Sequence, residues 1–443
     1  MPMYDLIIKN GTIVTPDSTF EGDIAIQDGK ITKVVTDNSL ENDAADTIDA
    51  EGLHVLPGLI DPHVHFNEPG RTEWEGLETG SQSLAAGGAT TFFDMPLNST
   101  PPVIDQEKLN AKKDLAAEKS VVNAHFWGGL VPGNVAELKD MHDRGVIGFK
   151  AFMPPSGIED FDNTDDETIF TGMQEIARLG SRLAVHAESP VICEQLAKEK
   201  QRQGKTSARD FAESRPIISE IDAVNHLISY AEATGCKLHI VHASSRKVVN
   251  VVKDAQARGV DVTVETCPHY LALTLKDLEE QGGIAKCMPP LRDSHEVDDL
   301  WNAVLEGEVN VIGSDHSPAP ADMKQITDNY FEGWGGISGA QSTLNILLTE
   351  GYFKRGLTLQ RLVQLTSASP AKLFGLSSKG TIAAGFDADI TLVNLNERFE
   401  LKKEDLFYRH KHSPYIGKTY QGAVKTTIVN GRVVYHNGEI TVH

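Results

Sequence analysis

Between Leu53 and Pro318 the chain alternates eight short, β-rich apolar runs with helix-like segments, and this alternation most constrains what it can fold into. Runs of this kind separated by helical periodicity read as βαβ units on a parallel sheet. Eight is the number that closes such a sheet into a barrel. The runs end at His63-Val64-His65, Thr91-Phe92-Phe93-Asp94-Met95-Pro96, His125-Phe126-Trp127-Gly128-Gly129 and Gly148-Phe149-Lys150-Ala151. The other four end at Ala184-Val185-His186-Ala187-Glu188, His239-Ile240-Val241-His242-Ala243, Val264-Glu265-Thr266-Cys267-Pro268-His269 and Ile312-Gly313-Ser314-Asp315-His316. Stretches such as Asp222 to Thr234 and Ser244 to Gly259 supply the crossover helices that parallel strands need. Nearly every run finishes in a polar or ionisable residue, and in a barrel all those ends face one mouth.

The two ends of the chain read differently. Residues 4–36 and 387–442 alternate apolar and polar side chains around Asn10-Gly11, Asp28-Gly29, Asn430-Gly431 and Asn437-Gly438, which are turn signals. The fold class is therefore α/β: a (β/α)8 TIM barrel over residues 56–379, with a small β-sandwich domain formed by both termini, residues 1–55 and 380–443.

Composition narrows the function classes. Acidic side chains outnumber basic ones, 63 to 41, which argues against a general binder of nucleic acid or anionic membrane, since phosphate contacts need Lys and Arg. No stretch approaches the roughly 18 to 20 apolar residues that a membrane span requires, and Met1-Pro2-Met3-Tyr4-Asp5 begins a strand-like segment without a basic, then apolar, leader. Cys193, Cys236, Cys267 and Cys287 form no Cys-x-x-Cys pair, so reduced thiols in a cytoplasmic protein are expected.

The strand ends carry the chemistry. His63 and His65 project from one face of a strand about 7 Å apart along the backbone, where two imidazoles can grip one metal ion. If the barrel is correct, Lys150, His186, His242 and Asp315 share their mouth. Each alone has an ordinary reading: a hydrogen-bonded core histidine, a helix-capping aspartate, a surface lysine. Jointly, six strand-end placements favour a metal centre. An ammonium group has no lone pair for a metal, but burial favours the neutral amine, which reacts with CO2 to give an anionic carbamate. One divalent ion is expected on His63, His65 and Asp315 and a second on His186 and His242, with carboxylated Lys150 bridging them. These ligands suit Zn, and also Mn, Co, Ni or Fe.

With these motifs in place, the chain resembles the amidohydrolase superfamily, specifically its cyclic-amidase branch of dihydroorotases, dihydropyrimidinases or hydantoinases, and allantoinases. The resemblance spans essentially the whole chain. It implies hydrolysis of a ring amide, with Asp315 as the proton-transferring catalytic residue, and homotetramers, as is common among relatives. A metal-free assembly protein on the same fold is the non-enzyme alternative, and the presence of all six ligand residues speaks against it.

Differences within the branch bear on substrate. Dihydroorotases carry an arginine after the paired histidines, to hold a substrate carboxylate, where this chain has Asn67, and a further histidine where it has Ala319. Hydantoinases lack the loop sequence Asn67-Glu68-Pro69-Gly70-Arg71. Glu68 to Gly76, Met95-Pro96-Leu97-Asn98-Ser99 and Trp334-Gly335-Gly336-Ile337-Ser338-Gly339 instead look like allantoinase segments. The implied substrate is a small neutral cyclic amide, allantoin, opened to allantoate; a hydantoinase, dihydropyrimidinase or dihydroorotase is the alternative. Asn98, Ser317 and the backbone at Gly335 and Gly336 are the expected substrate contacts, although the glycines equally suit turns and Asn98 could brace its own loop. Trp74, Trp334 and His269 are expected near the pocket, as wall or ligand support, with structural packing the favoured role for each, and Arg71 and Arg292 are expected to pair with acids in their own loops.

Overall fold

Five strands precede the barrel in the computed structural model: β1 (Tyr4–Val14), β2 (Thr19–Gln27), β3 (Lys30–Val35), β4 (Ala44–Asp49) and β5 (His54–Pro57). The structure describes residues 3–36, 40, 43–326 and 328–442; Met1 and Pro2, read above as part of a strand-like start, lie outside them. Asp28 adopts a positive φ of 51° in the β2–β3 turn, as its Asp-Gly signal requires. Asn10-Gly11 departs from the turn reading. β1 runs through it with a bulge, because this strand is paired with β2 along its length, with β4 over its first half and with β5 over its second.

Nine strands make the eight staves of the barrel: β6 (Leu59–Val64), β7 (Ala89–Asp94), β8 (Asn123–Phe126), β9 (Gly128–Gly129), β10 (Phe149–Phe152), β11 (Arg182–His186), β12 (Lys237–Ile240), β13 (Val262–Thr266) and β14 (Val311–Ile312). The third stave is broken at Trp127, so that β8 pairs with β7 and β9 with β10. Trp127 is fully buried and its indole N–H donates to the Pro62 carbonyl at 3.0 Å, which fixes the break against the first strand. Parallel pairing continues from β10 to β14, and the ring closes where Val64 bridges His316 and the His65 N–H donates to the His316 carbonyl at 2.8 Å. β6 is buried at every residue, as expected of a strand covered on both faces.

The crossover helices follow their amphipathic pattern. Arg246–Ala257 buries Val248, Val249, Val252 and Ala255, one face of a 3.6-residue period. Asp166–Arg178 buries Ile169, Gly172, Met173 and Ile176, and its preceding Asp165 carboxylate accepts from the Thr168 N–H, a cap worth about 1 kcal/mol.

After the barrel, β15 (Ile390–Glu400), β16 (Thr419–Val429), β17 (Arg432–His436) and β18 (Glu439–Ile440) return to the N-terminal strands. β5 joins them, lying parallel to β1 and antiparallel to β15. The expected sandwich is thus one continuous sheet folded over its own apolar cluster, where Ile24 and Ile26 of β2 meet Ile390, Leu392 and Ile428 from the other end of the chain. Residues 405–413 leave this sheet and lie against the barrel. The Tyr408 hydroxyl accepts from the Gln341 N–H at 3.0 Å, the Ser413 hydroxyl donates to the Ser338 carbonyl at 2.7 Å, and His412 Nε2 donates to the Ala319 carbonyl at 2.8 Å. No helix among the described residues is long and apolar enough to cross a membrane.

Candidate active site

The barrel mouth opens into a cavity of about 540 Å³, and His63, His65, Lys150, His186, His242, Asp315, Asn98, Ser317, Gly335 and Gly336 all line it. Five strands deliver the six ligand-type groups. His63 is the penultimate residue of β6 and His65 the first beyond it; their rings lie 5.3 Å apart, and the His63 and His242 rings 5.5 Å apart. His186 and His242 meet edge to face at 4.5 Å. Asp315 Oδ1 lies 3.1 Å from His63 Nε2 and 3.3 Å from His65 Nε2, and the His63 contact lacks hydrogen-bonding angles. Register on β10 and β11 pairs Phe152 with His186, and their rings stack at 4.9 Å. The Lys150 ammonium sits 4.9 Å over that same phenyl ring and has no hydrogen-bond partner among the described residues.

Two buried carboxylates that strand-by-strand reasoning left without a role fix how the imidazoles point. Glu265, on β13, receives His63 Nδ1 at 2.7 Å and the His242 backbone N–H at 3.3 Å. Glu188, two residues beyond His186, receives His186 Nε2 at 2.7 Å and is held from behind by Arg215, whose Nε donates at 3.0 Å. Each contact occupies one ring nitrogen and leaves the other for a ligand, as carboxylates beside metal-binding imidazoles do. Gly313 makes room for this: a Cβ there would come within 2.9 Å of Glu265 Oε2 and 3.1 Å of the His63 Cβ. The only sequence signal for either carboxylate was its place at the end of a strand run.

Electrostatics follow from burial and these contacts. Burial opposes ionisation of Asp315, but His63, His65 and His242 outweigh it and hold the carboxyl well below the usual range. Glu188 and Glu265 are likewise pulled down to about 2 against their burial, the first by Arg215 and His186, the second by His63 and His239. Burial lowers the Lys150 amine to about 8, lowers His65 to about 4 and pushes His242 well below its ordinary value. His242 and Asp315 also adopt positive φ, 41° and 46°, a region non-glycine residues occupy at a cost and often at functional sites.

The expected substrate contacts share the cavity. Asn98 adopts φ 76°, its carbonyl accepting from Arg71 Nη1 at 2.9 Å. Neither its side-chain amide nor the Ser317 hydroxyl has a hydrogen-bond partner among the described residues, which leaves both for a ligand. Trp334 lines the cavity, with Trp74 edge-on to it at 4.9 Å. His269 offers a ligand atom close to those of Cys267 and Asp315, and its Nε2 has no partner among the described residues. The two arginines pair outside their own loops: Arg71 reaches Asp160 at 3.6 Å, and Arg292 donates to Glu220 at 2.7 Å.

The Amidohydrolase family profile matches residues 54–434, from β5 through the barrel and into the terminal sheet. The chain belongs to the amidohydrolase family. It is 47% identical over 437 residues to the allantoinase of Deinococcus radiodurans, covering 99% of this chain and 96% of that one. It is 48% identical over 440 residues to the allantoinase of Rubrobacter xylanophilus, covering 99% and 96%. Among solved structures, the L-hydantoinase (dihydropyrimidinase) of Arthrobacter aurescens superposes with a TM-score of 0.97 at 35% identity, covering 100% of this chain and 98% of that one. The D-hydantoinase (dihydropyrimidinase) of a Thermus species does so with a TM-score of 0.92 at 27% identity, covering 99% and 97%.

In this amidohydrolase the donor set fits a divalent metal centre. One ligand atom each from His63, His65 and Asp315 lie within 4.8 Å of one another, and His63 Nε2, His242 Nδ1 and Lys150 Nζ are buried without hydrogen-bond partners among the described residues. Buried polar atoms left unpaired are costly, and a cation shared among them removes the cost.

Proposed function

We propose that this chain hydrolyses the ring amide of allantoin to allantoate at a binuclear metal centre. The observation that carries this reading is the cavity itself. It gathers the six ligand-type residues together with Asn98 and Ser317, while the cations on its far wall are already engaged. Arg215 is committed to Glu188, and Lys286 donates to the Glu332 and Gly333 carbonyls at 3.0 and 2.8 Å. A substrate carboxylate finds no free guanidinium there, whereas a neutral hydantoin with a ureido arm finds amide and hydroxyl partners. The two allantoinases, alike over nearly their whole length, support the same substrate.

His63, His65 and Asp315 would hold one ion and His186 and His242 the other. Lys150, its nitrogen bonded to the carbon of CO2 with release of a proton, would bridge them. Burial, which lowers this amine to about 8, supplies the neutral form that the addition needs. When bound, such ions lower the pKa of water and polarise a carbonyl oxygen. Asp315, held ionised by the surrounding imidazoles, accepts a proton from the attacking water. It returns that proton to the ring nitrogen as the carbon–nitrogen bond breaks, so one carboxylate serves both transfers. Zinc is the first candidate metal. The assembly we propose is a homotetramer, and the free thiols of Cys193, Cys236, Cys267 and Cys287, all buried, suit a reducing compartment such as the cytoplasm.

A hydantoin or dihydropyrimidine substrate is the second reading, favoured by the near superposition on the L-hydantoinase. Hydrolysis of allantoin, hydantoin, dihydrouracil and dihydroorotate by the purified protein, with metal content measured in parallel, separates them. Allantoin should be preferred and dihydroorotate neglected. A preparation with two metal ions per chain that leaves allantoin intact would overturn the proposal.

A further inference from the structure

Loop 332–336 forms one wall of the cavity, and two lysines without carboxylate partners among the described residues hold its backbone. Lys286 Nζ donates to the carbonyls of Glu332 at 3.0 Å and Gly333 at 2.8 Å and lies 4.7 Å over the Phe211 ring. Lys324 Nζ donates to the Trp334 carbonyl at 3.3 Å and to that of Gly336. Both side chains are buried, and burial lowers the amines to about 8 and about 7. An ammonium group buried against neutral carbonyls is a costly way to close a loop, and an apolar side chain would pack the same space more cheaply. What the ammonium groups add is orientation, since together they hold the carbonyls of Glu332, Gly333, Trp334 and Gly336, four of the five in the loop.

Two of the loop's N–H groups are tied to the same segments that carry the lysines. Trp334 N–H donates to the Met323 carbonyl at 2.9 Å and Gly336 N–H to the Lys286 carbonyl at 2.7 Å. The Gly335 N–H, on a residue that lines the cavity, has no partner among the described residues. Gly336 is pressed against the proposed substrate contact Ser317: a Cβ on it would lie 2.4 Å from the Ser317 carbonyl oxygen. The loop therefore has little room to shift without moving both.

We propose that Lys286 and Lys324 are positioning residues that set substrate specificity: by gathering the carbonyls of Glu332, Gly333, Trp334 and Gly336, they present the free Gly335 N–H to a carbonyl oxygen of the substrate. This rests on the reading of the cavity as a cyclic-amide site. The test uses the metal-loaded enzyme and the variants Lys286→Met, Lys324→Met and Lys324→Arg, with Lys324→Gln as the substitute if the methionine variant does not fold. Two readouts are taken, amide hydrogen exchange across residues 333–337 and steady-state kinetics with allantoin. Each methionine variant should speed exchange at these amides and raise KM roughly tenfold, the equivalent of about 1.4 kcal/mol, while kcat falls no more than about twofold. Methionine preserves the packed volume and arginine preserves the charge, so recovery in Lys324→Arg separates positioning from packing. Unchanged exchange at these amides, or a kcat loss with KM unmoved, overturns the proposal. Failure of the wild type to turn over allantoin sinks the substrate reading alone, and the exchange rates then decide whether the lysines hold the loop.

Discussion

Replacing Glu265 by Gln tests how far the metal cradle depends on a carboxylate placed behind a ligand. Gln copies the protonated acid in shape and can still accept the His63 Nδ1–H, now 2.7 Å from Glu265 Oε1, so the substitution removes charge and little else. The carboxyl falls from its ordinary 4.5 to about 2 in the folded chain, against its burial, because of His63 and His239. At about 1.4 kcal/mol for each tenfold change in proton affinity, that fall is worth about 3 kcal/mol to the metal-free fold. The folded acid binds its proton less tightly than the unfolded one, so this stability is fully present above about pH 4.5 and is lost as pH falls toward 2. Urea unfolding of metal-free protein should show Glu265→Gln about 3 kcal/mol weaker at pH 7, with the gap closing in acid. Calorimetric titration should show metal affinity lower by about 10- to 100-fold, because the imidazole loses its anionic anchor. Equal stability at pH 7 together with undiminished metal affinity would refute the reasoning.

The proton-transfer and bridging roles can be tested by two further substitutions. Asp315→Asn should keep the fold, since Asn tolerates the φ of 46° at this position, and should lower kcat by about 10²- to 10⁴-fold; near-native turnover by a metal-loaded variant removes Asp315 from the proton path. Lys150→Ala should lose most of its bound metal by elemental analysis, and short-chain carboxylic acids added with metal should restore part of the activity. If no acid restores it while the fold is intact by circular dichroism, the carbamate bridge is wrong.

Much of this was legible in the chain because a parallel barrel sends every strand end to one place. Lys150, His186, His242 and Asp315 are far apart in sequence, yet each terminates an apolar run, and counting runs was enough to bring them beside His63 and His65. Glu188 and Glu265 were visible as run-terminal residues without a role, because a supporting carboxylate is defined by which imidazole nitrogen it meets, a matter of side-chain geometry across neighbouring strands. Arg215 was invisible for the same reason: it lies just before the Ile217–Thr234 helix and nothing local marks it as the partner of Glu188. Lys286 and Lys324 carried no motif at all; their role depends on the path of a loop whose carbonyls turn toward them. Asn10-Gly11 misled as a turn because local preference for positive φ is met equally by a bulge when partners on both edges keep the strand extended.

Residues 405–413, which reach from the terminal sheet to Gln341, Ser338 and Ala319, are made after every barrel strand. A nascent chain therefore passes through a stage in which all eight staves have left the ribosome while the backbone beyond Asp315 still lacks its outer hydrogen bonds. The contacts that brace the backbone after Asp315 are therefore made at the last step of synthesis rather than at barrel closure. For the same reason a barrel cut free before residue 405 would present the right ligands around an unanchored rim, and the terminal sheet is best regarded as the part that finishes the mouth.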